Sequence, residues 1–542
     1  MARIEVTQLN DHIYLMDDNH EATGYIVIGK DKAAVIDTMN GYEDVKAVAR
    51  RYTDLPLMVI NTHGHPDHIY GNLYFDEAYV APDDMDVADE FANDPGFLKI
   101  IGERGAVMPP FKAINPGETV DLGGLHLEVI ALPGHTAGSI LLLLKEDRIL
   151  FTGDAINHHL WMQIPHSTSL EMFRDNLSKV MYLKDKADRI LHGHARGFDS
   201  IDLMDHTLAA IDEILAGKTE DDKEYEWFDG ISRQHPIPDD EGVICYNQRP
   251  AWVKEDSKAW SEGDGKRDEG LTEPEDVESF KDISYGVYGE SNLLDVYYPK
   301  GTTGKLPILI NVHGGGYFYG DKELYRFYAM DMARYGFTVV NMNYRLSPAY
   351  KYPAPLQDIN NVMLWIEKHA DEYHMDTENI FMMGDSAGAQ LTSHYAAINS
   401  NPEFCRNIYM RKHSLKIKGI SLACGMYDLK SLLATEEKDK LFDNYLMSCY
   451  YNPDEPTLDV CGAITDKYPA AYLFSCPNDF LYPACKPMAD LINARGGKAV
   501  MKIYGTAEMK DVAHVFHCNM KTDIGREARK DQAEFLLGLC NK

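Results

Sequence analysis

The chain has 542 residues, 45% of them hydrophobic and 25% charged, and a formal net charge of −32. That length is too great for one core and points to two or three domains of ordinary globular composition. The surplus of carboxylates repels phosphate backbones and anionic lipid, so nucleic acid and membrane surfaces are disfavoured as partners.

The start, R-I-E-V, is a polar–apolar alternation rather than a basic stretch followed by an apolar one, and reads as a strand, not a leader. The longest aliphatic run, Ile140–Leu144, is far short of the ~20 residues that span a bilayer. Nine cysteines, an odd number with no C-x-x-C, suit reduced thiols and a cytoplasmic location.

In chain order, Ile4–Leu9, His12–Met16, Gly24–Ile28 and Ala33–Ile36 form short apolar runs between turn residues, a β-meander. Tyr42–Arg51 has helical spacing. Leu57–Ile60 is a strand that runs into N-T-H-G-H-P-D-H, which places His63, His65, Asp67 and His68 within six positions. Imidazole and carboxylate donors crowded at a strand exit suit zinc and similar borderline ions. Leu125–Ile130, Ser139–Leu144 and Arg148–Phe151 read as further strands, and Leu170–Tyr182 as a helix. Three later strands end in a glycine-flanked polar residue, P-G-His135, T-G-Asp154 and H-G-His194, and Asp37 sits at the end of Ala33–Ile36. A side chain there is held by the sheet yet faces open space. The stretch 154–170, rich in aromatic, Met and His side chains, reads equally as a pocket wall or as packing beneath a loop.

The ordered set H-x-H-x-D-H, G-H, G-D, G-H resembles the metallo-β-lactamase superfamily over residues 1–215. The resemblance implies an αβ/βα sandwich with a dinuclear metal site at one edge. His63, His65 and His135 would hold one ion, and Asp67, His68 and His194 the other. Asp154 would bridge them, Asp37 would orient a ligand, and His192 would stand by. Two divalent ions are implied, zinc first, with iron or manganese as alternatives. Such a pair acidifies water and polarises a carbonyl or phosphoryl oxygen. Asp at 154, where true zinc β-lactamases carry Cys or Ser, resembles glyoxalase II and lactonase relatives instead, so a thioester, lactone or amide is the expected substrate class. His65 stands where diiron flavoprotein members carry Glu.

Residues 216–280 are acid-rich and poor in aliphatics, which describes a solvated linker; Val243–Tyr246 and Trp252 are a possible strand and anchor within it. Ile283–Tyr288 and Leu293–Tyr298 then suggest a hairpin. Pro307–Val312, Phe337–Asn341 and Asn379–Met383 are apolar runs of the buried parallel type, with a helix at Ile359–His369. Strands alternating with helices over 281–542 predict a doubly wound α/β sheet.

Gly384-Asp-Ser386-Ala-Gly388 sits between a strand and a helix, the context of a nucleophile elbow that lifts a serine Oγ clear of the sheet. His313-Gly-Gly-Gly316 precedes it, so the N–H groups of Gly314, Gly315 and Ala387 are the expected oxyanion hole. The order Ser…Asp…His predicts an acid and a base downstream, at Asp479 and His514, each just after a strand. Asp428 is the competing acid and His517 the rival base. H-G-G-G-Y, N-Y-R-L-S-P and G-D-S-A-G resemble hormone-sensitive-lipase-type carboxylesterases over residues 281–542, and imply a serine esterase on an α/β-hydrolase fold.

The expectation is therefore a hydrolase with two centres, a dinuclear metal centre and a Ser–His–Asp centre, acting on small ester-type molecules. Two alternatives stay open: a metal domain that senses ligand while only the esterase turns over, and an N-terminal phosphodiesterase.

Overall fold

The computed structural model describes residues 3–227, 230–238, 240–247, 251–406, 408–433, 445–446 and 455–540. Its packing divides the chain into two units, Met1–Trp227 with Ile231–Asn247, and Phe228–Gly230 with Gln248–Lys542.

The first unit contains two large sheets. One has β1 (Ile4–Gln8), β2 (Ile13–Asp18), β3 (Thr23–Ile28), β4 (Ala33–Ile36), β5 (Leu57–Ile60), β6 (Ala78–Val80) and β7 (Phe111–Ala113), adjacent in that order. The other has β8 (Thr119–Asp121), β9 (His126–Ala131), β10 (Ile140–Leu144), β11 (Ile149–Gly153), β13 (Arg189–His192) and β14 (Asp199–Ser200), ordered β14-β13-β11-β10-β9-β8. Strand alternation makes the sandwich. Ile140, Leu142, Leu144 and Phe151 meet Ile13, Leu15, Val27 and Ile36 between the sheets. Leu141, Leu143 and Leu150 face the other way and are covered from α5 (Leu170–Val180) and α6 (Leu203–Leu215). On the far face of the first sheet, Ile26, Val35 and Val59 pack on Val45, Val48 and Ala49 of α1 (Val45–Ala49). This is the αβ/βα arrangement. Three short helices serve the loops: α2 (Pro66–Ile69), α3 (Met85–Ala92) and α4 (Pro95–Glu103).

The acid-rich stretch expected to be a linker carries regular structure. β15 (Lys223–Trp227), β16 (Gly230–Pro236) and β17 (Val243–Tyr246) join β12 (His159–Trp161) in a third sheet, ordered β12-β17-β16-β15. Ile244 and Tyr246 bury against the first unit's core, so a few apolar residues anchor strands that the charged neighbours disguise. α7 (Ala251–Arg267) belongs to the second unit. The side chain of Trp252 lies outside the described residues.

The second unit is an eight-stranded sheet with the order β18-β19-β21-β20-β22-β23-β24-β25. These strands are β18 (Val277–Ser284), β19 (Leu293–Pro299), β20 (Leu306–Val312), β21 (Thr338–Met342), β22 (Met375–Asp385), β23 (Ile417–Ala423), β24 (Ala470–Ser475) and β25 (Ala499–Ile503). β19 pairs antiparallel with both neighbours, and the strands from β21 through β25 are parallel. The hairpin exists, but its first strand lies upstream of expectation: Val277 pairs with Pro299 and Ile283 with Leu294. Both faces are covered, as a parallel sheet requires. Ile308, Ile310 and Met382 pack with residues of α9 (Ala354–His369) and α10 (Ala387–Ser400). Leu309, Phe381 and Met383 pack with α8 (Arg326–Arg334) and the helix Asp523–Leu537. No helix among the described residues is long and apolar enough to cross a membrane.

Candidate functional site

In the first unit, four strand ends converge at one edge of the sandwich. His63 to His68 leave β5, His135 follows β9, Asp154 follows β11 and His194 follows β13. Two donor groups form there: His63, His65 and His135, and Asp67, His68, Asp154 and His194, with the donor atoms of each within 4.8 Å of one another. Asp154 lies between the groups, its Oδ2 3.1 Å from His194 Nε2 and 3.8 Å from His135 Nε2. His68 Nε2 is 3.6 Å from both Asp154 Oδ1 and Asp67 Oδ2.

The outer ring nitrogens explain why the inner ones are donors. His135 Nδ1–H donates to the Trp161 carbonyl at 2.9 Å, and His68 Nδ1–H to Asp37 Oδ2 at 2.9 Å. Asp37, held at φ 57°, also accepts the Thr62 N–H and hydroxyl, each at 2.8 Å. Their inner nitrogens therefore present lone pairs. His63 Nε2, His68 Nε2 and Asp154 Oδ1 are buried and make no hydrogen bond among the described residues. Buried polar atoms without partners are costly, and lone pairs converging with a carboxylate fit divalent cations.

The electrostatics of the set are divided: burial would lower His68, but Asp67, Asp37 and Asp154 hold it well above its ordinary value. Burial, with the neighbouring imidazoles, pushes His63 and His65 down, and burial lowers His135. Burial would raise Asp154, but His194 and His68 outweigh it and hold the carboxyl well below its usual range. Burial would likewise lower His194, yet Asp154 pushes it up to about 9. Protons drawn onto such ligands are what metal binding displaces.

The sequence reading missed Asp84. It accepts the Gly64 N–H between two candidate ligands and, at 3.2 Å, the Gly138 N–H beyond His135, which ties the two loops together. Burial pushes its carboxyl up to about 6. In the stretch 154–170, the Trp161 ring lies 5.8 Å from that of His194 and stacks on His159 at 4.4 Å.

In the second unit, β22 ends at Asp385 and α10 begins at Ala387, which leaves Ser386 in the turn with φ 50° and ψ −120°. A Cβ on Gly388 would lie 2.1 Å from the Val312 carbonyl, so only glycine lets the elbow close on β20. His514 Nε2 lies 3.0 Å from Ser386 Oγ, and His514 Nδ1 lies 2.7 Å from Asp479 Oδ1. Asp479 further accepts from Ser475 Oγ at 2.6 Å and the Leu481 N–H at 3.0 Å. Burial would raise its carboxyl, but His514 and Ser475 hold it below the usual value.

The two rivals are placed elsewhere. Asp428 caps a turn, accepting the Ser431 N–H at 2.9 Å and its hydroxyl at 2.5 Å. His517 is buried beside Cys518, with its Nε2 3.5 Å from the thiol. Gly314 departs from expectation as an oxyanion donor: its N–H donates to Tyr325 Oη at 3.0 Å, and that hydroxyl donates to Asp385 Oδ2 at 2.8 Å. Burial pushes Asp385 up to about 6. The exposed Phe480 ring lies 4.4 Å from His514 and joins Met426, Tyr427, Leu481 and Pro483 around a cavity of about 290 Å³.

Residues 20–194 match the family model of the metallo-beta-lactamase superfamily, and residues 294–485 match that of BD-FAE. The chain joins a metallo-beta-lactamase domain to a BD-FAE domain. Relatives of the chain include Esterase LipQ of Mycobacterium tuberculosis, 27% identical over 43% of this chain and 56% of that one. Versiconal hemiacetal acetate esterase of Dothistroma septosporum is 36% identical over 20% of this chain and 34% of its own. Acetyl esterase of Salmonella schwarzengrund is 38% identical over 18% and 29%. The chain thus spans less than two thirds of the length of these curated relatives. Esterase B of Lactobacillus rhamnosis overlays 53% of this chain and 94% of its own, with 22% identity and a TM-score of 0.48.

Proposed function

We propose that the protein is a hydrolase with two centres, a serine carboxylesterase in the BD-FAE domain and a metal-dependent hydrolase in the metallo-beta-lactamase domain. The observation that carries the reading is the relay Ser386–His514–Asp479, at 3.0 and 2.7 Å. Serine hydroxyl is a weak nucleophile until a base removes its proton. His514 Nε2 takes that proton as Ser386 Oγ attacks the ester carbonyl, and Asp479 fixes the tautomer and stabilises the imidazolium. The alkoxide that develops is met by backbone N–H groups of Gly315, Gly316 and Ala387; Gly316 takes the place of Gly314, whose N–H is committed to Tyr325. His514 returns the proton to the leaving alcohol, and water then releases the acyl group by the same steps.

In the metallo-beta-lactamase domain, His63, His65 and His135 would hold one divalent ion and Asp67, His68 and His194 another, with Asp154 shared. Bound there, zinc would supply Lewis acidity toward a carbonyl oxygen and a lowered water pKa. The chain's own part is to present these lone pairs in fixed tautomers, through Asp37 and the Trp161 carbonyl, and to keep Asp154 anionic. A thioester, lactone or amide is the proposed substrate class. The eight described cysteines are free thiols, which suits a reducing cytoplasm.

The test is a reciprocal pair. Ser386→Ala should lower p-nitrophenyl ester hydrolysis by at least ~10³-fold and leave zinc content unchanged. Asp67→Ala should lose at least one zinc equivalent, together with lactone or thioester hydrolysis, and keep the p-nitrophenyl activity. Loss of both activities in either folded variant overturns the two-centre reading.

A further inference from the structure

Each candidate ligand histidine has a second ring nitrogen that must be satisfied, and at three of them the partner is a simple acceptor or hydroxyl. His68 uses the Asp37 carboxylate, His135 the Trp161 carbonyl, and His63 Nδ1 lies 3.2 Å from the Thr62 hydroxyl. His65 differs. Its Nε2 lies 3.4 Å from His166 Nδ1, and His166 Nε2 lies 3.2 Å from Glu90 Oε2 on α3.

The direction of this chain of contacts follows from its ends. An ionised carboxylate only accepts, so His166 Nε2 carries a hydrogen and donates to Glu90. An imidazolium would donate from Nδ1 as well, whereas in its neutral form His166 has its lone pair there and accepts from His65 Nε2–H. That leaves the lone pair of His65 at Nδ1, which lies 2.9 Å from His135 Nε2. His135 already donates through Nδ1, so two imidazole lone pairs face each other at that distance. They repel unless a metal ion or a proton is shared between them. Phe91, also on α3, holds both rings from the side, with centroids 5.7 Å from His65 and 5.5 Å from His166.

We propose that His166 and Glu90 are positioning residues for the first metal site: they fix the tautomer and ring orientation of His65 so that Nδ1 is the ligand atom. The inference rests on the metal reading of the metallo-beta-lactamase domain. It makes α3, and not only the strand ends, part of the metal site. Partners of this kind typically change metal affinity by about 10–100-fold.

The experiment is zinc titration of the full chain against a competing chelator, alongside the melting temperature of the metal-free proteins. His166→Phe and Glu90→Leu should weaken one zinc equivalent by about 10–100-fold and leave the other, and the metal-free melting temperature, unchanged. His166→Gln and Glu90→Gln, which keep an acceptor in place, should recover most of the affinity. Two undisturbed equivalents in His166→Phe and Glu90→Leu overturn the inference alone. So does a fall in metal-free melting temperature that parallels the loss of zinc, or a failure of the glutamine variants to recover it. A wild-type chain that takes up no zinc overturns the metal reading and this inference together.

Discussion

At Gly193 there is room for a hydrogen and nothing larger. A Cβ built there would lie 2.4 Å from Asp154 Oδ1 and 2.5 Å from His68 Cε1, so the glycine before His194 lets a strand end close upon two candidate ligands at once. Gly193→Ala should therefore push Asp154 and His68 apart and lower zinc affinity by about 10–100-fold, the scale on which groups around a metal act. Zinc content after dialysis against chelator measures this; full retention would mean the loop relaxes around a methyl group. The same residue scale separates what the motifs announced from what they concealed. H-x-H-x-D-H and G-D-S-A-G write the candidate donors and the candidate nucleophile in neighbouring positions, where the type of side chain alone points to the chemistry. The N–H of Gly314 points to Tyr325 because of a backbone orientation, and no residue type encodes that.

Between elements, the third sheet is tied down by a charged histidine. His158 stands just before β12; its Nδ1 lies 2.8 Å from Asp240, between β16 and β17, and its Nε2 3.1 Å from Asp199 on β14. The hydrogen bond to Asp199, with help from Asp240, pushes its pKa up to about 9. A histidine raised on folding contributes stability that is complete below its unfolded pKa, about 6.5, and is lost as pH rises through the folded value. The melting temperature of the wild type should exceed that of His158→Gln most at pH 6, and the gap should narrow steadily toward pH 9. A gap that is constant over this range would mean the contact acts through packing rather than charge. This junction was not legible from the chain because its partners lie 41 and 82 positions away. The acid-rich neighbours of Val243–Tyr246 also made its surroundings look like solvent.

For the whole molecule, two units with separate cores give metal a defined target. Zinc held only by the folded first unit stabilises it by mass action, about 2.7 kcal/mol at a hundredfold excess over Kd. For a unit of this size that corresponds to a rise of about 5–10 °C in its melting transition. Calorimetry of the wild type should show this rise and chelator should cancel it, whereas Asp67→Ala, which keeps the His63, His65 and His135 set, should show a smaller one. A full rise in Asp67→Ala would take the bound zinc away from the candidate ligands.

The sequence by itself determined the strand-and-loop grammar: apolar runs ending in glycine-flanked polar residues, the continuous aliphatic run Ile140–Leu144 that is buried throughout, and the chain order of Ser386, Asp479 and His514. These are local because the strand period and the chemistry of consecutive side chains need no distant partner. Tertiary structure alone decided which His reaches Ser386 and that Asp428 caps a turn. It also put Asp84 across two loops and brought His166 to His65 over 101 positions of chain. Such contacts come from the closing of sheets upon one another, which joins residues by packing and not by spacing.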